Sequence, residues 1–102
     1  MGKAANSSIS LKQIHVTDNF WNKYVHLVKD VIIPYQWDIL NDKLEDVETS
    51  HCIENFKIAA GEKEGEFQGA VFQDTDVAKW LEAVGFVLNY ERDEKLEELA
   101  DE

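Results

Sequence analysis

The side chains best suited to chemistry in this sequence are one thiol, three imidazoles and an abundance of carboxylates. Cys52 is the single cysteine, and His51 stands beside it in the segment SHCIENF. A thiolate next to an imidazole can act as a nucleophile or bind a metal. Neighbours on a helix project about 100 degrees apart, however, so the two would meet one ion only with further ligands and distorted geometry. His15 and His26 show no ligand spacing, and no metal site is expected in this chain. Cys52 reads instead as a small apolar residue on a helix face. Glu62, Glu64 and Glu66 alternate through one segment, and Asp74 and Asp76 bracket Thr75. Paired carboxylates are what glycoside hydrolysis requires, but among 21 acids the residue type alone says little. Capping and solvation account for the aspartates, and a solvated loop for the glutamates. Trp21, Trp37 and Trp80 could stack on sugar rings, yet their spacing among other apolar residues assigns them to a core.

The elements that position these groups are mostly helical. Residues 8–16 alternate loosely, with Ile9, Leu11, Ile14 and Val16 apolar, which suits a short strand or an extended arm. Thr17 and Asp18 offer an N-cap for a helix bearing Phe20, Tyr24, Leu27, Val28, Val31 and Ile32 at spacings of three and four. Pro34 removes a backbone donor, so that helix should stop or kink there, and Tyr35 to Asn41 can restart a turn with Trp37 and Leu40 on one side. The polar stretch from Asn41 to Thr49 reads as a surface loop. Ser50 is placed to cap a short helix carrying Ile53, Phe56, Ile58, Ala59 and Ala60, which Gly61 stops. No helical period survives from Glu62 to Gln73. Asp74, Thr75 and Asp76 then offer an N-cap and negative charge at the positive end of a helix dipole. Val77, Trp80, Leu81, Val84, Val87 and Leu88 follow at the best helical spacing in the chain. Asp93 caps a last, unfinished helix with Leu96, Leu99 and Ala100.

Composition bounds the functions these elements can serve. The 102 residues, 44% of them apolar, are enough for one small core. With 10 basic against 21 acidic residues the formal charge is -11, which opposes attraction to nucleic acid or anionic membrane. Seven of the acids fall in Glu91 to Glu102, so part of this charge is local. A lone cysteine forms no internal disulfide and fits a reducing, cytoplasmic setting. The opening MGKAANSSIS has no apolar segment after its lysine, and Asn6 stands where a myristoylation signal carries Ser or Thr. Residues 1–8 are read as a disordered leader and residues 9–102 as the structured part.

Four segments carry a resemblance: TDNFW (Thr17 to Trp21), VIIPYQWDILND (Val31 to Asp42), SHCIENFKIAAG (Ser50 to Gly61) and EGEFQGAVFQDTDVAKWLEA (Glu64 to Ala83). Their content and order resemble the N-terminal region of the beta-L-arabinofuranosidase family of glycoside hydrolases, family 127, over roughly Ile14 to Tyr90. The resemblance implies an all-α fold, the incomplete N-terminal portion of an (alpha/alpha)6 toroid, with a short extended arm or strand before it. It implies retaining hydrolysis of arabinofuranosides by a cysteine nucleophile and a glutamate acid/base beside a zinc ion, all on residues beyond this chain. No catalytic residue and no cofactor is therefore assigned here, and zinc is implied only for the full-length family member. Cys52, on an early helix, does not correspond to the family's nucleophile. Because helix-joining loops line the sugar pocket in such barrels, Phe72 is the candidate apolar wall of the pocket, with Gln73 and Asp74 beside it.

The resemblance names the remainder of the catalytic domain as partner and a carbohydrate as substrate, with the chain by itself catalytically inactive. An incomplete toroid should expose the inner faces of its helices, especially Trp80, Leu81 and Val84, and could self-associate through them. The alternative is a small acidic helical module that binds a protein partner through that same apolar face.

Overall fold

A computed structural model describes residues 7–102, and the first six residues of the expected leader lie outside the described range. The order is a single 3-10 turn at Leu11–Gln13, α1 (Asn19–Leu27), a π-helical segment (Val28–Ile32), α2 (Ile33–Leu40), α3 (Cys52–Ala59), α4 (Asp74–Tyr90) and α5 (Glu94–Asp101). The fold is all-α, with no strand among the described residues. The expected arm or strand is an arm: extended backbone flanks the 3-10 turn. Its anchor is the Val16 N–H, which donates to the Tyr90 hydroxyl at 2.9 Å.

Local signals start the helices at two places as the sequence requires. Asp18 accepts from the Trp21 N–H at 3.1 Å to begin α1, and Asp93 accepts from the Lys95 and Leu96 N–H groups to begin α5. Pro34 behaves differently from expectation. The chain holds right-handed helical angles at Leu27, Val28, Ile32 and Ile33, so α1 and α2 form one continuous helical run. The wider π turn just before Pro34 absorbs the missing donor, with the Ile33 N–H bonding to Val28 O. The proline then lies in the first turn of α2, directly after the π turn.

α4 is the centre of the core and touches α2, α3 and α5. Trp80 and Val84 meet Ile33, Trp37 and Leu40 of α2, Cys52 of α3 and Leu96 of α5, all buried. This reverses the expectation of exposed inner faces on α4 and bears out the core assignment of Trp37 and Trp80, but Trp21 is exposed, against its assignment to a core. Trp80, only 3% exposed, and Val84 face the core, while Leu81 alone of the three faces solvent. The apolar surface left open belongs instead to α1 and its π extension, from Phe20 to Ile32, where no residue is buried. Two apolar stripes compete for one small core, and the α4 stripe takes it because α4 is long enough to contact three other helices.

The resulting body is flat, 54 × 41 × 24 Å, with a radius of gyration of 17.4 Å. A compact domain of about 100 residues has a radius near 13 Å.

Candidate functional site

The candidate sugar-facing residues sit where a glycine-bearing loop enters α4. Asn55 of α3 clamps the loop, its side-chain amide donating to Gln68 O at 2.8 Å and its carbonyl accepting from the Gln68 N–H at 3.1 Å. Gly65 lies against Ile58, whose Cδ1 would be 3.1 Å from an added Cβ. At Gly69 the backbone is left-handed, φ +97, and a Cβ would fall on the Gln73 side-chain carbonyl. That carbonyl accepts from the Ala70 N–H at 2.8 Å and folds the loop back onto the helix start.

Phe72, Gln73 and Asp74 are therefore held in a fixed backbone frame. Thr75 Oγ1 donates to Phe72 O at 2.7 Å, and the Gln73 carbonyl accepts from the Cys52 thiol at 2.8 Å. Phe72 is 66% exposed, and Phe67 is also exposed, so neither packs beneath the loop as core. Gln73 spends its side-chain oxygen on the loop, and Asp74 is exposed in the first turn of α4. The expected N-cap at Asp74 to Asp76 is absent: Gln73 holds the cap position in helical angles, without a side-chain cap bond. The dipole reading survives, because Asp74 and Asp76 both lie in that first turn.

Cys52 is 1% exposed. Burial pushes its thiol above the ordinary range, Asp76, Asp42 and Asp74 add to the rise, and a hydrogen bond with Ser50 opposes it. A buried thiol that donates to a backbone carbonyl and is held toward its protonated form lacks the exposure and thiolate character of a reactive cysteine. As the chain's one cysteine it cannot furnish the cysteine set of a zinc centre.

His51 has a different neighbourhood from the one its sequence position suggests. Its backbone is left-handed at φ 60, it occupies the N-cap of α3, and Ser50 makes no cap bond there. Asp42, itself left-handed at φ 57, does that work from across the loop. Its carboxylate accepts from the Ser50 N–H at 2.6 Å and the His51 N–H at 3.1 Å. Asp42, His51 and Glu54 bring donor atoms within 4.8 Å of one another, a grouping the sequence reading missed. Asp42 is committed to backbone N–H groups and Glu54 to an ion pair with Lys63 at 2.9 Å. Lys63 holds the Glu54 carboxyl below its ordinary range.

A helical body whose core is built by α2, α3, α4 and α5, with an exposed aromatic loop before α4, agrees with the sequence comparisons. Residues 13–102 match the family described as beta-L-arabinofuranosidase, GH127 catalytic domain, and the chain belongs to that family. A relative, the non-reducing end beta-L-arabinofuranosidase of Bifidobacterium longum subsp. longum, is 37% identical over 100 residues. That alignment covers 86% of this chain and 15% of the relative, so the chain spans about a seventh of the protein it matches.

Proposed function

We propose that this chain supplies the opening helices of a beta-L-arabinofuranosidase-type catalytic domain, in a protein that removes arabinofuranose units from carbohydrate. The 37% identity to the Bifidobacterium enzyme carries the reading. Within it, Phe72 is an apolar wall of the sugar pocket, with Gln73 and Asp74 as neighbours at the first turn of α4. The exposure of Phe72 on a loop pinned by Asn55 and Gln73 supports that assignment. The nucleophilic cysteine, the acid/base glutamate and a zinc site belong to other parts of such a domain, and the isolated chain is inactive. The lone Cys52 supports a reducing, cytoplasmic setting. Among the described residues no helix is long and apolar enough to cross a membrane.

The test is a joined protein in which this chain replaces the matched segment of the Bifidobacterium enzyme. It should hydrolyse a chromogenic beta-L-arabinofuranoside, and Phe72→Ala should lower kcat/KM roughly tenfold by removing about 1.4 kcal/mol of sugar contact. A folded joined protein without turnover sinks the functional reading, and an unchanged kcat/KM for Phe72→Ala sinks the assignment of Phe72. The 102-residue chain alone should show no turnover beyond that of its Cys52→Ala variant, with or without added zinc.

A further inference from the structure

The arm, α1 and the C-terminal half of α4 enclose a groove of about 520 Å³ lined by Ile14, Trp21, Tyr24, Val28, Phe86 and Tyr90 among others. It is a built feature, since the bond from the Val16 N–H to Tyr90 fixes the arm as one wall. Lys29, the one charged lining group among the described residues, is engaged by Glu91 at 3.3 Å and Asp30 at 3.6 Å. The walls thus ask for an apolar occupant. Trp21 and Phe86 stand 62% and 58% exposed within the chain itself.

The whole body points the same way. Its accessible surface is 8081 Å², against about 5,900 Å² for an ordinary folded chain of this mass. The excess belongs to a flat body whose α1 face is uncovered. A second copy is a poor candidate, because pairing would bring together two bodies of formal charge -11. The matched relative supplies a better one: most of its length lies outside the segment this chain spans.

We propose that this groove seats an apolar face of the remaining GH127 polypeptide, joining the opening helices to the rest of the domain. The inference rests on the family assignment behind the proposed function and makes no use of the sugar or the chemistry. Phe86→Glu tests the groove, and Val71→Glu, at a loop residue 84% exposed and outside it, is the control. Tagged 102-residue chain is co-expressed with the Bifidobacterium enzyme lacking its matched segment. The unsubstituted chain and Val71→Glu should retain that polypeptide, and Phe86→Glu should lose at least nine-tenths of it. In the joined protein, Phe86→Glu should lower the thermal midpoint by several degrees, while leaving the isolated chain's midpoint unchanged.

Equal retention by Phe86→Glu and the unsubstituted chain overturns the proposal. So does absence of retention combined with equal midpoints for the two variants in the joined protein, or a joined protein that does not fold. A dimer of the isolated chain abolished by Phe86→Glu gives the groove to a second copy and also overturns it. Loss of arabinofuranosidase turnover with retention intact counts against the functional reading alone.

Discussion

The indoles of Trp37 and Trp80 lie with ring centroids 4.5 Å apart and planes inclined at 30°, and only one of the two has a hydrogen-bond partner. Trp80 Nε1 donates to Ile33 O at 2.9 Å, tying α4 to the helix that follows the π turn. Trp37 Nε1 is buried and finds no partner among the described residues. Phenylalanine at each position therefore removes different things. Trp80→Phe loses a buried hydrogen bond and part of a filled volume, at about 1–2 kcal/mol. Trp37→Phe removes a donor that is already desolvated and unpaired, which offsets its volume loss, so its cost should be under about 1 kcal/mol. Urea unfolding followed by helical circular dichroism gives both values, and the reverse ranking would contradict this account of the pair.

Asp42 is the tether that places α3. Its carboxylate serves two backbone N–H groups, at Ser50 and His51, and its left-handed backbone aims it there. Asp42→Ala should cost about 2 kcal/mol, because charge-assisted bonds are lost and the N–H groups at the helix entry lose their acceptor. Asp42→Asn keeps an acceptor and tolerates the left-handed angles, so it should retain most of the stability. Amide exchange at Ser50 and His51 reads the effect directly. Unchanged protection in Asp42→Ala would show that the bonds do not hold the loop.

Those two sites show which features the sequence displays and which it hides. The caps at Asp18 and Asp93 are visible because acceptor and donor lie within three residues, and the α4 stripe because a period near 3.6 needs no tertiary knowledge. The tether from Asp42 to Ser50 and His51 crosses eight and nine residues of irregular chain, and no local pattern announces it. Proline preference likewise cannot foresee that a π turn will carry the helix through Pro34. Periodicity gives both α1 and α4 an apolar stripe, the better one on α4, but only the packing around Trp80 and Val84 shows which of them is buried. At the candidate site the position where α4 begins was legible, though not its cap, and the engagement of Gln73 by Ala70 depends on the left-handed turn at Gly69.

The Cys52 thiol provides a pH-dependent readout of the core. Burial is the largest cause raising its pKa, so the folded chain favours the protonated form. A folded pKa above the unfolded one contributes stability that is fully present below the unfolded pKa and is lost as pH rises through the folded pKa. Iodoacetamide should therefore alkylate native Cys52 far more slowly at pH 8 than the urea-unfolded chain. The midpoint of the native rate's rise with pH should lie above the thiol's ordinary value of 9.0, accompanied by falling stability. Equal native and unfolded rates at pH 8 would place the thiol outside the core.

Tryptophan fluorescence separates the open apolar face from the closed one. Trp21 is exposed on α1, in edge contact with Phe20 at 5.0 Å, whereas Trp37 and Trp80 are buried. Iodide should quench a fraction of the isolated chain's emission, and Trp21→Phe should abolish that fraction while shifting the remaining spectrum to the blue. Because Trp21 is open to solvent, the substitution should change stability by less than about 0.5 kcal/mol. Residual quenching after Trp21→Phe would mean that Trp37 or Trp80 reaches solvent, and the core would then have to be centred elsewhere than on α4. Protection of Trp21 from iodide in the joined protein, beside its accessibility in the isolated chain, would register the covering of the α1 face by the rest of the domain.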